Sequence, residues 1–381
     1  MYKSETSNDK EFLIESRNLE KIRPIITKTS ELIKNAIADK WAIVIRHHND
    51  TDGYVAGIVL EKAIKPLLNN ERQLIRLSSR TPYYDYIDAL KDLNNYLTRH
   101  NKKALVILCD LGSNRQSLKS IKRLALYGIR FAIVDHHKYD KENQEFACFL
   151  NPHVYGLNSN LNAGILATEL ALFISPSLDN VKHLPALSAV GDKSTGEDVD
   201  KYIEIAGYDR EYLEKWSQVI DHETFFMKFS ATEILTDLFF PGEKFDALFK
   251  MIHIEIEKEM HEVEKAARKY VQIREYKKFK LLRINKLDIG SFGDYASSKL
   301  IGITHNLFEG PRITIAETPD SVGFRVDDVD FSVTVLLDEL RTKLPYALIE
   351  GGGHEHAGNI KFNAISKNEV MKLIEKHLAN Q

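Results

Sequence analysis

The sequence predicts an α/β protein built as a parallel-sheet domain, a helical linker and a smaller α/β C-terminal domain. Three observations predict it. Between Trp41 and about Asp192, short apolar runs alternate with helix-like segments, which implies crossover connections and a mostly parallel sheet. From 195 to 275 the pattern is helical throughout. From about 278, strand-like and helix-like segments alternate again.

Taken in order, residues 8–40 read as helical, with Leu13, Ile14, Leu19, Ile22, Ile25, Ile26, Leu32 and Ile33 among charges and an interruption at Pro24. Strands are expected at 41–46, 72–77, 104–109 and 130–134, each a short apolar run of the buried kind. Helices are expected between them at 54–65, 84–99 and 116–127. Residues 161–174 and 184–190 read as buried helices. The region 195–275 carries the aromatic cluster Phe225, Phe226, Phe229, Phe239 and Phe240. It ends in a charged stretch, 254–269, that reads as a solvated helix or a spacer. The last domain reads as a strand at 279–284, a helix at 294–306 and strands at 312–317 and 322–326. Thr318-Pro319-Asp320-Ser321 marks the turn between the two strands. A helix at 333–344, a glycine-rich turn Gly351-Gly352-Gly353-His354, and a final strand and helix complete it. The domain boundaries expected are 1–37 for an N-terminal helical extension, 38–240, a linker at 241–275, and 276–381.

The bulk composition narrows the class. With 381 residues, 43% of them hydrophobic, the chain can build two or three cores. No segment is apolar for long enough to span a bilayer, so no membrane role is expected. The start, Met1-Tyr2-Lys3-Ser4-Glu5-Thr6, lacks an apolar signal region. Two cysteines, Cys109 and Cys148, exclude a disulfide framework. A cytoplasmic protein fits all of this. The net charge of -3 argues against a wholesale polyanion binder, although a local basic groove can still hold phosphates.

The chemistry lies at the strand ends. Asp50 and Asp52 follow the first strand, Asp110 the third, and Asp135-His136-His137 the fourth. Asp192 follows the helix 184–190 through Gly191. In open α/β sheets, ligands bind just beyond the carboxyl ends of strands. Singly, each acid reads as a helix cap or turn former, and Asp52-Gly53 reads as a turn. Jointly, four such clusters in one α/β unit point to metal. Carboxylate and imidazole without thiolate suit Mn²⁺ or a similar divalent ion. The donors exceed what one ion needs, whereas two ions roughly 3.5–4 Å apart would use them all. Asp110, alone at its strand end, is the natural bridge. Asp135 need not be a ligand, because an Asp before two histidines can orient an imidazole from behind.

At this point the residues resemble a family. His48-Asn49-Asp50-Thr51-Asp52-Gly53, Asp110, Asp135-His136-His137 and Gly191-Asp192-Lys193-Ser194 resemble the four motifs of the DHH phosphoesterases. Gly351-Gly352-Gly353-His354-Glu355-His356-Ala357-Gly358 resembles the glycine-rich motif of the DHH-associated domain. The resemblance runs from about residue 38 to the C-terminus. Gly53, the Gly191–Ser194 motif and Asn151-Pro152-His153 make it most similar to the archaeal RecJ-like nucleases.

The resemblance implies a DHH catalytic domain, a helical linker and a substrate-binding domain, with roles for single residues. His48 and Asp50 would hold one Mn²⁺, and Asp52, His136 and Asp192 the other, with Asp110 bridging and Mg²⁺ or Co²⁺ as substitutes. Asp135 and His137 are the expected catalytic pair, His137 facing the scissile phosphate. Gly352, Gly353 and His354 would bind a substrate phosphate, helped by accessible backbone N–H groups, with His356 as a second contact or a packed residue. Arg325 is the candidate for a further phosphate clamp. His47 adjoins His48, and which of them ligates stays open, although the spacing to Asp50 favours His48. Tyr83, Tyr84, Tyr86 and Tyr155 could stack bases.

The function implied is a Mn²⁺-dependent exonuclease on single-stranded DNA or RNA, releasing nucleoside 5′-monophosphates in DNA repair or replication. A helicase or replisome component is the partner it implies. Two alternatives remain. One is a small-substrate phosphoesterase acting on short oligonucleotides, phosphoadenosine phosphate or cyclic dinucleotides. The other is a replication scaffold without catalysis, against which the complete set of ligands counts.

Overall fold

The computed structural model describes residues 11–79, 81–94, 103–227, 234–289 and 294–379. The chain divides into two compact units, residues 1–253 and 254–381. Among the described residues, no helix is long and apolar enough to cross a membrane.

The first unit opens on α1 (Arg17–Ala38), capped by the Ser16 hydroxyl, which accepts from the Asn18 and Leu19 N–H groups. Pro24 lies inside this helix and does not interrupt it, contrary to expectation. The reason is the face it occupies. Pro24 is exposed, so the carbonyl it leaves without a partner can meet water, while its neighbours Ile22 and Ile26 are fully buried. A proline inside a helix costs about 3 kcal/mol. Burying two isoleucines recovers about that much or more, at about 1.5–3 kcal/mol each.

The sheet and its helices follow as β1 (Ala42–His47), α2 (Thr51–Ile64), β2 (Leu74–Ser78), α3 (Tyr86–Asp92), β3 (Ala104–Cys109), α4 (Arg115–Ala125), β4 (Arg130–Val134) and β5 (Ala147–Leu150). The five strands are all parallel, in the order β2-β1-β3-β4-β5. The order reverses between β1 and β3, the switch point at which open α/β sheets bind ligands. β1 and β3 are buried at every residue, as both faces of the sheet are covered. One face packs Val44, Val106, Leu108, Phe131 and Ile133 on Ile121 and Leu124 of α4. The expected 84–99 helix is seen as α3, and residues 95–99 lie outside the described residues. The strand β5 is itself a short apolar run, Ala147-Cys148-Phe149-Leu150, that the sequence reading passed over.

Asp52-Gly53 is the first turn of α2 and not a hairpin turn. A Cβ on Gly53 would meet the His48 carbonyl oxygen at 2.3 Å, so only glycine lets the helix start this close to the strand end. α2 is buried along nearly its whole length and packs on α5 (Ala163–Ile174). The unit continues with α6 (Leu184–Gly191), α7 (Glu197–Ala206), α8 (Arg210–Phe226) and the first part of the long α9 (Glu243–Tyr270), whose residues from 254 belong to the second unit. Of the aromatic cluster, Phe229 lies outside the described residues, and Phe239 is fully buried.

The second unit holds a six-stranded mixed sheet, in the order β10-β11-β9-β8-β7-β6. Its strands are β6 (Gln272–Glu275), β7 (Lys280–Asn285), β8 (Arg312–Glu317), β9 (Ser321–Asp327), β10 (Glu350–His354) and β11 (Ala357–Lys361). Only β7 and β8 run parallel. α11 (Val333–Lys343) and α12 (Lys367–Ala379) cover one face through Leu336, Leu340, Val370 and Ile374. α10 (Asp294–Asn306) contributes Leu300 to a second cluster with Ile284 and Ala316. Val263, Ala266 and Ala267 of α9 join that cluster, so the charged stretch 254–269 has one packed stripe and is not solvated all round.

The glycine-rich segment corrects another expectation. Gly351, Gly352 and Gly353 form strand β10, paired antiparallel with β11, and the turn is Glu355-His356. A Cβ on Gly351 would meet the Asn359 carbonyl oxygen at 2.5 Å, so the glycine serves a close approach of two strands.

Candidate metal centre

Three parallel strand ends and one helix end bring the acids together. His48, Asp50 and Asp110 offer ligand atoms within 4.8 Å of one another, as do Asp52, His136 and Asp192. A third such group is Asp110, Asp135, His136 and His137. Asp110 therefore joins the first triad to the histidines of β4.

Each acid is aimed by its local backbone. Asp50 is the N-cap of α2, accepting from the Gly53 N–H at 3.0 Å, and its other oxygen meets His48 Nδ1 at 2.6 Å. Asp52 lies in the first turn of the same helix and reaches the N-terminus of α5. There it accepts from the Ala163 and Gly164 N–H groups at 3.1 and 2.6 Å, and from the Ser188 hydroxyl. A helix N-terminus favours a carboxylate. Asp110 ends β3 in the left-handed region, with φ 57°, a strained conformation for a residue other than glycine. Its two oxygens face different histidines: Oδ2 lies 3.2 Å from His48 Nδ1, and Oδ1 lies 3.3 Å from His136 Nε2 and 3.5 Å from His137 Nδ1. Asp192 caps the C-terminus of α6, 3.7 Å from His136 Nδ1.

The histidines are oriented from behind. His136 Nδ1 donates to the Ser159 carbonyl at 2.9 Å, which directs Nε2 to Asp110 and to Asp52, 3.3 and 3.7 Å away. A backbone carbonyl on one ring nitrogen is how proteins fix a metal-ligating imidazole. Asp135 takes no part as an open carboxylate. It accepts from the Ser113, His136 and His137 N–H groups and from His137 Nδ1, at 2.8–3.2 Å. His47 stands apart. It is fully buried, donates Nδ1 to the His48 carbonyl at 2.7 Å, and packs edge-on against Tyr54. Burial and then Arg76 hold it well below its usual titration range. His48 is thus the histidine in the cluster.

The electrostatics suit a cation. Burial pushes Asp52 well up, and the neighbouring Asp110 adds to this. Burial raises Asp192 to about 6, with Asp110 and Asp50 acting the same way against His136. Burial would lower His48 and His136, yet the surrounding carboxylates raise both well above the ordinary histidine value. The carboxylates thus favour positive charge at this point, which is what a divalent ion would supply. Asp110 Oδ1 is buried and, among the described residues, has no hydrogen-bond donor of proper geometry. A buried carboxylate oxygen left so is costly unless a cation meets it. The donors are all oxygen and nitrogen, and the residues present fit two divalent ions.

The other expected residues belong to the second unit. Gly352 and Gly353 lie on the edge strand β10, and His354 ends it; the side chains at 353 and 354 lie outside the described residues. Arg325 on β9 is opposite Ala357, which is opposite His354, so the register sets the three in one row across the sheet. Arg325 is half-buried, with no ion pair among the described residues. His356 is exposed in the hairpin turn, and its carbonyl accepts from the Val326 N–H. Of the tyrosines, Tyr84 is fully buried and bonded to Asp92, so it is a core residue and no stacking platform; Tyr86 is exposed.

Sequence reading missed Ser188, Ser159 and Ser113. Ser188 had a signal, a hydroxyl in the otherwise apolar helix 184–190. The Ser159 carbonyl and the Ser113 N–H are backbone groups with none. Asn151, flagged only by its motif, bonds the Ser113 hydroxyl and the His137 carbonyl, both at 3.0 Å.

Residues 42–182 match the DHH family, N-terminal domain. The uncharacterized protein MJ1198 of Methanocaldococcus jannaschii is 31% identical over 94% of this chain and 54% of its own length. The chain thus spans about half the length of that curated relative. A solved DHH domain, that of PF0399, described as belonging to a family of ribosomal proteins, superposes with a TM-score of 0.90 at 32% identity. That match covers 97% of this chain and 93% of the other. RecJ of Thermus thermophilus, in complex with Mn²⁺, superposes with a TM-score of 0.70 at 13% identity, over 94% of this chain and 55% of RecJ. The chain belongs to the DHH family of phosphoesterases, and its fold is RecJ-like.

Proposed function

We propose that this chain is a metal-dependent exonuclease, hydrolysing phosphodiester bonds of single-stranded DNA or RNA to nucleoside 5′-monophosphates. The observation that carries the reading is Asp110, whose two oxygens face the two histidines of separate ligand triads. In this reading His48 and Asp50 hold one ion, Asp52, His136 and Asp192 the other, and Asp110 both. Mn²⁺ suits the donors, with Mg²⁺ or Co²⁺ as substitutes. Two such ions, when bound, supply a nucleophile from water at neutral pH and neutralise charge on the leaving oxygen.

The chain's own groups do the positioning. Asp135 fixes the His137 ring through Nδ1, and His137, with 39% of its side chain exposed, is assigned to the scissile phosphate. Gly352, Gly353, His354, His356 and Arg325 are assigned to further phosphates of the strand. Residues 38–240 serve catalysis, 241–275 link and 276–381 bind substrate. A role in DNA repair or replication in the cytoplasm, beside a helicase or replisome component, follows from the same reading. RecJ, the fold relative, was solved with Mn²⁺ and with Mg²⁺, which supports a divalent metal.

The test is digestion of a strand of about 30 nucleotides labelled at either end, beside a dinucleotide, with Mn²⁺ and with Mg²⁺. Stepwise loss of mononucleotides from one end is expected. Dinucleotides cut far faster than the long strand would replace this reading by a small-substrate phosphoesterase.

A further inference from the structure

The first unit carries a row of cations that the metal centre does not use. α4 starts at Arg115, beside its cap Asn114 and next to Ser113, whose N–H holds Asp135. Arg115, Lys119 and Arg123 follow one another at intervals of four, so they line one edge of the helix at about 6 Å per step. All three are exposed, and none has an ion pair among the described residues. The helix holds no acid. Its fourth cation, Lys122, differs: it pairs with Glu142, and its ammonium lies 5.5 Å over the Phe146 ring. Like charges at this spacing destabilise a helix, so the row is carried at a cost. It is also local, because the chain as a whole has net charge -3.

Aromatic faces lie beside the row. Tyr127 lies in the turn that follows α4, and Tyr86 stands across on α3, the two being 54% and 53% exposed. Both line, with Arg123, Leu90 and Leu93, the groove between α3 and α4. Equally spaced cations with aromatic platforms are the chemistry that holds a single strand whatever its sequence. An acidic helical peptide would also meet the charges. The strand is favoured because the row starts at the loop that holds Asp135 and leads away from it.

We propose that the Arg115–Lys119–Arg123 edge of α4 is a contact line for the backbone of a single-stranded nucleic acid whose terminus is in the metal centre. The proposal rests on the nuclease reading above and adds that long strands gain over dinucleotides here.

The test uses the full chain with EDTA, so that nothing is cut, and anisotropy of a labelled strand of about 20 nucleotides over a range of salt. Combining Arg115→Gln, Lys119→Gln and Arg123→Gln should lower the slope of log affinity against log salt by about 2. Raising salt from about 50 to about 200 mM would then cost the variant about 20-fold less than the wild type. Lys122→Gln, on the same helix but ion-paired, should leave the slope unchanged. With Mn²⁺, dinucleotide hydrolysis by the triple variant should equal that of wild type. Wild-type affinity and slope in the triple variant overturn the proposal. So does loss of an acidic amphipathic peptide with strand binding intact, which would assign the edge to a protein partner. A wild type that binds the long strand through this edge yet releases no mononucleotide fails the nuclease reading and leaves the contact line standing.

Discussion

Two charged clusters meet at the end of β1, through residues two apart, and they are built in opposite ways. Arg46 points into one. Its guanidinium pairs with Asp92, lies 3.5 Å from Asp88 and donates to the Ser78 carbonyl at 2.8 Å. Tyr84 donates to Asp92 at 2.8 Å, and Ser79 to Asp88 at 2.6 Å. Every charge there has an opposite charge or a donor. His48 belongs to the other cluster, in which carboxylates outnumber bases and, among the described residues, one Asp110 oxygen has imidazoles nearby but no hydrogen bond of proper geometry. The first cluster is closed, and it holds the β2–α3 connection to the sheet. The second is left open in the one respect that a divalent cation would complete. Burial and charge alone therefore do not mark a site; an excess of carboxylates around an unmet buried oxygen marks this one.

Breaking the open cluster should affect chemistry and spare the fold. Asp110→Ala is expected to cut Mn²⁺-dependent hydrolysis at least a thousandfold, about 4 kcal/mol of transition-state stabilisation. Far-UV circular dichroism should stay native. Mn²⁺ at about 100 times its dissociation constant should raise wild-type stability by about 2.7 kcal/mol and leave the variant unmoved. Activity retained in Asp110→Ala would refute the two-ion arrangement.

Breaking the closed cluster should do the reverse. Arg46→Met strands Asp88 and Asp92 in the core, and losing one partner of a buried pair costs about 3–5 kcal/mol. Urea denaturation would read the loss directly, and Mn²⁺ should not repair it. If the variant is as stable as wild type, the pair is not holding the β2–α3 connection.

A buried acid outside both clusters sharpens the contrast. Glu169 on α5 accepts from the Tyr202 hydroxyl and from the Leu13 N–H, and burial raises it to about 7. It is satisfied by neutral donors rather than by a cation. In the unfolded chain the carboxyl loses its proton near 4.5, whereas the native state keeps it until about 7. Between those values the native state binds more protons, so stability falls as pH rises, by about 3 kcal/mol in total. Glu169→Gln should flatten that fall, as measured by urea midpoints from about pH 4.5 to about 7.5. A slope unchanged in the variant would show that another group is responsible.

The same contrast explains what the sequence could disclose. β3 and β4 were legible to the residue, because each is an apolar run closed by an acid. The strand-end acids were legible for the same reason, each being local to its own strand. β6 was not, since Gln272-Ile273-Arg274-Glu275 is exposed throughout and pairs along one side only. The Pro24 helix and the glycine strand β10 were misread because tertiary packing overrode local preference. The orienting groups were least legible. Ser159 acts through its carbonyl, and Ser188 meets Asp52 across 136 positions of chain.

Ser188 gives the smallest and most selective effect. Its hydroxyl is one of three donors that hold Asp52, the others being N–H groups at the start of α5. Ser188→Ala removes that donor without adding bulk, and the two backbone donors remain. Asp52 should then keep its place but lose part of its orientation. Losing such an orienting bond typically weakens metal affinity about 10–100-fold. Calorimetric titration with Mn²⁺ should place the variant at the lower end, about tenfold, because two of three donors persist. Hydrolysis should fall at limiting Mn²⁺ and recover at saturation. Asp110→Ala should not recover at any concentration. If Ser188→Ala also fails to recover, the hydroxyl does more than orient Asp52, and the line between holding the ligand and being one moves to include it.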